Sequence, residues 1–435
     1  MSAAAHELPR EAVNAKLVSL IASGAIVLGI LMSGFVQREP TPYDIYMVGL
    51  ISVWALFGLR ISRCVAPLLV LLVLFNIGGL IAMTQMADLM DTPFYLAVSF
   101  FLALTAVFYA AVTEARPQFY RLILNAYVVS AVVTSLFGIA GYFNLFPGAE
   151  VFTRYGRAAG VFKDPNVFGP FLVLPGIYLL HRLMTGPALR MPLVAVPLLA
   201  IMAGIFLSFS RGAWGLFGAS AILLTGTLFL QSLSGKFRLR IVLMTIVAVT
   251  LLLLAFIAIL QIPGVEDMLT NRAKLAQDYD SARLGRFARY AIGFQLALEK
   301  PLGIGPLVFG QIYGEDTHDI WLKALMDYGW LGFVSYLTLT LWTLAAGFRL
   351  LLRDRPWQPY ILCAYVVYVG HIGLGTFIDI DHWRHVYLLL GLIWGGIALE
   401  HRYQRERRPA SPDDDFRALT AAPNSGAAGA LPATQ

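Results

Sequence analysis

Apolar residues in this chain gather in long blocks separated by short polar joints. The blocks cover roughly 17–35, 43–59, 66–84, 93–113, 121–143, 167–184, 192–208, 213–232, 241–262, 329–348, 359–378 and 385–400. Each has about 16–25 residues, the length a helix needs to cross about 30 Å of hydrocarbon at 1.5 Å per residue. Backbone in lipid must satisfy its own hydrogen bonds, and these alanine-, leucine- and glycine-rich blocks lack the alternation of a barrel strand. They are therefore expected to be helices. The expected fold class is all-α, a polytopic membrane protein of about 12 transmembrane helices. One long external loop carries an amphipathic helix.

Composition points the same way. Of 435 residues, 58% are hydrophobic and 13% charged, with a mean hydropathy of +0.70. A soluble globular protein carries about 25% charged residues. The net charge of +6 is placed as topology determinants are, in short joints between the blocks, and does not point to nucleic acid. Arg60 and Arg63, Arg116 and Arg121, Arg182 and Arg190, and Lys236, Arg238 and Arg240 occupy alternate joints. Arg349, Arg353 and Arg355 continue the series, and Arg402, Arg405, Arg407 and Arg408 end it. The positive-inside rule puts that side, with both termini, in the cytoplasm, which requires an even number of spans.

The two cysteines, Cys64 and Cys363, offer neither a disulfide framework nor zinc spacing. The first block follows Lys16 without a small-residue cleavage site and reads as a retained signal anchor. The organisation expected is a cytoplasmic N-terminus (1–16), spans one to nine (17–262), an external loop (263–318), spans ten to twelve with a basic flank (319–408), and a disordered tail (409–435).

Three external segments break the charge rule. The loop after the fifth span carries Arg154, Arg157 and Lys163, and the tight turn Ser208-Phe209-Ser210-Arg211-Gly212 carries Arg211. The long loop carries Arg272, Lys274, Arg283, Arg286, Arg289 and Lys300. Cations on the translocated side oppose topology, so an anionic ligand at the outer leaflet is a natural counterpart. Arginine's planar fork suits phosphate oxygens. The plainer alternative is pairing with Glu266, Asp267, Asp278, Asp280 and lipid headgroups. Residues 282–299 place Arg283, Arg286 and Arg289 three apart among apolar side chains, as an interfacial amphipathic helix would. His318, just before the tenth span, can accept a proton near neutral pH, or can simply cap or pack.

Several of these motifs in order resemble the O-antigen ligase/polymerase superfamily of bacterial surface-polysaccharide enzymes. They are Gly160-Val161-Phe162-Lys163-Asp164-Pro165-Asn166 with Phe168-Gly169, then Ser208-Phe209-Ser210-Arg211-Gly212-Ala213. Gly285-Arg286, Pro301-Leu302-Gly303-Ile304-Gly305, His318-Asp319-Ile320-Trp321-Leu322 and Tyr328-Gly329-Trp330-Leu331-Gly332 follow. The resemblance implies a metal- and cofactor-independent GT-C glycosyltransferase of the bacterial inner membrane, its active site periplasmic. The donor would be an undecaprenyl-diphosphate-linked glycan. The acceptor would be lipid A-core, or a lipid-linked glycan if the protein is a polymerase. By motif match, Arg211 and Arg286 would stabilise the diphosphate leaving group, and His318 would serve the acceptor as base. Arg154, Arg157, Lys163, Arg283 and Arg289 are further candidates for binding glycan or diphosphate. Asp319 departs from the family, which often has asparagine there.

A transporter or flippase is the rival of another class, kept open by Gly78, Gly79, Pro170, Pro175, Pro197 and His371 within the spans. A scaffold in an export complex would leave Arg211 unexplained.

Overall fold

The computed structural model describes residues 10–89, 91–259 and 285–407. The expectations for residues 1–9, 260–284 and 408–435 lie outside the described residues, Arg283, most of the long loop and the tail among them. What is described is overwhelmingly helical. The N-terminal part holds α1 (Arg10–Met32), α2 (Pro42–Leu56), α3 (Ala66–Met83), α4 (Thr92–Ala115) and α5 (Gln118–Tyr142). A two-stranded hairpin, β1 (Thr153–Arg154) and β2 (Arg157–Ala158), precedes α6 (Pro165–Phe171) and α7 (Val173–Thr185). Then come α8 (Met191–Leu207), α9 (Arg211–Gln231) and α10 (Gly235–Ile259). After the undescribed stretch follow α11 (Arg286–Glu299), α12 (Val308–Tyr313) and α13 (Ile320–Asp327). The last three are α14 (Gly329–Leu351), α15 (Gln358–Gly375) and α16 (Arg384–Glu406).

Helices occupy the positions of the apolar blocks. Among the described residues, eight segments are long and apolar enough to cross a membrane, and Pro42–Leu56 is apolar but shorter. The expected spans on α15 and α16 carry more polar residues, with Arg384 and His385 opening α16, while on α10 Lys236, Arg238 and Arg240 precede an uncharged apolar stretch. Local chemistry sets several boundaries. Thr41 and Asp44 form a reciprocal capping box at the start of α2. Proline stands in the first turn of α3, α4 and α8, where a missing N–H costs nothing. The block at 167–184 is broken between α6 and α7, as Pro175 cannot donate back to Phe171.

Packing is close. α16 lies along α4 and α14 along α3, while α9 runs beside α15 and α5 beside α8. Small residues make this possible, as membrane helices lacking a hydrophobic drive between them need backbone proximity. Gly78 of α3 meets the backbone of Tyr328 and Gly332, and Gly391 of α16 meets Tyr109 and Ala106 of α4. The largest buried cluster spans most of the long helices. A smaller one, formed by Ile320, Ile380, Trp383 and Val386, lies beneath the polar residues described next.

Candidate functional site

Between α15 and α16 the chain makes a short connection that carries Asp379, Asp381 and His382. This connection is where the scattered motifs meet. A Cβ on Gly375 would lie 2.8 Å from Ile320 Cγ2, and one on Gly212, beside Arg211, would lie 2.7 Å from Leu374 Cδ1. Tyr290 of α11 donates to the Thr376 carbonyl at 3.5 Å, and Val167 packs on the Ile320–Ile380 cluster. Residues far apart in sequence are thus gathered at one end of the bundle.

His318 has a left-handed backbone, φ +54°. Histidine visits that region more readily than bulky residues do, and such strain often marks functional positions. Its side chain is 39% exposed, while Thr317 before it and Ile320 after it are buried. Asp319 caps α13, accepting from Trp321 N at 2.8 Å and Leu322 N at 2.9 Å. The carboxylate facing the histidine comes from elsewhere: Asp379 Oδ2 lies 3.5 Å from His318 Nδ1. With an Nδ1 proton directed at Asp379, the Nε2 lone pair is available to accept a proton.

One turn into α13, Lys323 is 5% exposed and sits among acids. Its Nζ lies 3.7 Å from Asp379 Oδ2, 3.7 Å from Asp381 Oδ1 and 3.9 Å from Asp316 Oδ2. Burial alone would lower the lysine's pKa. Asp379 and Asp381 outweigh it and hold the ammonium well above its ordinary value. Burial likewise opposes the Asp381 charge, but Lys323 and His382 keep its carboxyl below the usual range. Asp381 also accepts from Tyr95 Oη at 2.7 Å and contacts His382 Nδ1 at 3.1 Å. Asp327, buried at the end of α13, is pushed well above the carboxylate range by desolvation, which Lys323 only partly offsets.

The Arg211 turn is held by its own side chains. Phe209 has φ +45° and is buried, and the Ser210 side chain caps α9 by accepting from Ala213 N. Trp214 Nε1 donates to the Ile205 carbonyl at 3.0 Å. Arg157 braces the same turn: its Nε donates to the Ser208 carbonyl at 2.7 Å and its Nη2 to Asn166 Oδ1 at 2.8 Å. The 160–163 segment is fixed from two sides, since Val36 pairs with it through backbone bonds and Thr134 Oγ1 accepts from Val161 N.

The structure divides the cations that sequence grouped together. Arg157 and Arg289 are each 4% exposed, with protein partners. Arg289 pairs with Glu315 Oε2 at 2.6 Å. Arg154 and Lys163 are exposed, with Arg154 Nη1 donating to the Lys163 carbonyl at 2.9 Å. Arg211 is half-buried at the N-terminus of α9, and Arg286 is the first residue of α11, its side chain outside those described.

Sequence reading missed Lys323, Asp379, Asp381, His382 and Arg384. Arg384 makes a two-pronged bond to Asp44 at 2.8 and 2.7 Å and also contacts Glu39. A signal was present: Asp379-Ile380-Asp381-His382-Trp383-Arg384-His385 packs five ionisable residues between two apolar blocks. Ionisable side chains held between apolar blocks point to function there as they do at Arg211. His371 proves buried, its Nε2 3.1 Å from that of His385. Among the described residues, no group of three or more His, Cys, Asp or Glu is arranged to hold a metal ion.

Residues 196–337, about a third of the chain, match the family model described as O-antigen ligase. That segment contains Arg211, Arg286, His318 and Lys323, and the match bears out the resemblance to the O-antigen ligase/polymerase superfamily. No curated protein matches the chain.

Proposed function

We propose, from the O-antigen ligase character of residues 196–337, that this polytopic membrane protein is a glycosyltransferase working at the periplasmic face of the inner membrane. It moves a glycan from undecaprenyl diphosphate to an acceptor hydroxyl, lipid A-core being the preferred acceptor, without metal or cofactor. In this reading about twelve spans leave both termini in the cytoplasm. The observation that carries it is His318, 39% exposed, with Nδ1 3.5 Å from Asp379 Oδ2.

His318 Nε2 takes the acceptor hydroxyl's proton as the oxygen attacks the glycosyl carbon. The bond from that carbon to the diphosphate oxygen breaks, and the electron pair leaves with the diphosphate. Charge grows on the leaving oxygen, and Arg211 and Arg286 stabilise it by a few kcal/mol per donor, roughly 3. Arg154 and Lys163, both exposed, serve the glycan or diphosphate. Arg157 and Arg289 act from beneath, bracing the Arg211 turn and α11.

The test is transfer in proteoliposomes with an undecaprenyl-diphosphate glycan as donor. Lipid A-core and a second lipid-linked glycan are offered separately, beside Arg211→Ala and His318→Ala with insertion confirmed. Transfer to lipid A-core that both substitutions abolish is the expected result. Growth of the lipid-linked glycan instead makes the protein a polymerase with the same site. Transfer to neither acceptor sinks the enzymatic reading and brings transport forward.

A further inference from the structure

Lys323 is the one basic residue in Ile320-Trp321-Leu322-Lys323-Ala324-Leu325-Met326-Asp327, and its helix turns it inward. A buried ammonium is costly unless carboxylates surround it. Here Asp316, Asp379 and Asp381 lie within 4.0 Å of Nζ, the Tyr95 ring lies below it at 5.3 Å, and Asp327 is one turn further on. The same Asp379 oxygen that Lys323 approaches at 3.7 Å approaches His318 Nδ1 at 3.5 Å. Asp379 is 16% exposed and its other oxygen, Oδ1, is buried without a hydrogen-bond partner. The carboxylate is therefore held through one oxygen, between a lysine and the histidine.

We propose that Lys323 is a positioning residue for the transfer reaction, its buried ammonium holding the Asp379 carboxylate in place and aimed at His318. The inference rests on the transferase reading of His318. Lys323 does not meet substrate; it acts through Asp379. Three carboxylates around one ammonium cannot all remain charged in a poorly solvated site once that ammonium is gone. A proton taken up by Asp379 turns an acceptor for the imidazole N–H into a competing donor. If Asp379 instead stays charged, His318 becomes its sole counter-ion and the imidazolium form is favoured. Both routes weaken the base at neutral pH and restore it at higher pH.

The measurement is the pH dependence of transfer by full-length protein in proteoliposomes, per folded enzyme, for wild type, Lys323→Met, Lys323→Arg, Asp379→Asn and the Lys323→Met/Asp379→Asn pair. In Lys323→Met the acid limb of kcat should move to higher pH by about one unit, a loss of about tenfold on that limb. KM for donor and acceptor should hold, and Lys323→Arg should restore the limb. In the Asp379→Asn background Lys323→Met should leave the limb in place, because the two residues act as a unit.

An unmoved limb in folded Lys323→Met, or an equal displacement without Asp379, overturns the proposal. If Lys323→Met does not insert, Lys323→Met/Asp381→Asn removes one carboxylate with the ammonium. Its limb should still move upward, and an unmoved one again overturns the role. Wild-type transfer that His318→Ala abolishes, with the limb unmoved, rejects Lys323 alone. No transfer by wild type rejects the transferase reading and this inference together.

Discussion

Arg157 Nε donates to the carbonyl oxygen of Ser208 at 2.7 Å, so a residue of a two-stranded hairpin holds the turn that presents Arg211. The same guanidinium bonds Asn166 and is 4% exposed. It is buried, whereas Arg154 and Lys163 are exposed. Arg157→Met would leave the Ser208 carbonyl and Asn166 without their donor. The expected cost is about 1.5–3 kcal/mol, the range for hydrogen bonds to charged groups. A thermal melt in detergent checks it, and Arg154→Met, at an exposed residue, is the control expected to melt as wild type does.

His318 and Asp379 should separate by magnitude. His318→Ala removes the proton acceptor and should lower kcat by roughly 10²–10⁴-fold. Asp379→Asn keeps the imidazole but loses the carboxylate at 3.5 Å, and should cost less, about tenfold or more. Asp319→Asn should leave kcat near wild type, because that carboxylate is spent on the N–H groups of Trp321 and Leu322. A large kcat loss in Asp319→Asn with normal folding would reassign the histidine's partner.

Asp381 gives a pH dependence of stability. Its folded pKa is below the ordinary carboxylate value, since Lys323, His382 and Tyr95 outweigh the opposing effect of burial. Its contribution to stability is therefore present above the unfolded value and lost as pH falls through the folded one. Lys323 runs the other way: its pKa is raised, so its contribution is present below the ordinary lysine value and lost as pH climbs through the folded one. Wild type should exceed Asp381→Asn in melting temperature at neutral pH, with the gap closing on acidification. Melting curves from pH 3 to 8, about the accessible range, decide it. A gap that widens toward acid would contradict the assignment.

Gly160 has φ +56°, and a Cβ there would stand 2.5 Å from Thr134 Oγ1 and 2.7 Å from its carbonyl oxygen. Gly160→Ala combines a conformation disfavoured for any side chain with a backbone clash. It should destabilise by more than about 1 kcal/mol and weaken the Val161 N to Thr134 bond. The yield of folded protein from membranes, and its melting temperature, measure this. Gly148→Ala, where a Cβ meets open space at a comparable positive φ, reads the backbone strain alone.

Some of this was written locally. Apolar blocks announced α1, α3 to α5, α8, α9 and α14, because length and hydropathy are properties of a contiguous stretch. The Asp319 cap, the Pro175 break and the Ser210-Arg211 helix start are likewise settled within a few residues. The pattern Arg283, Arg286, Arg289 announced a helix, and α11 begins at Arg286. The same pattern could not reveal that Arg289 turns inward to Glu315, since spacing fixes a face and not what packs against it.

The sequence by itself determined where the long apolar helices form, which joints bear charge, and that Arg211 opens one of those helices. Only the tertiary structure decided which charges pair. Asp44 and Arg384, 340 residues apart, share a buried bond because the first turns of α2 and α16 meet. Asp379 meets His318 and Lys323 because the end of α15 is packed against the start of α13. A charge in sequence carries a sign but no partner. Its partner is set by packing of distant helices, where burial makes an unmatched charge costly and so fixes the match.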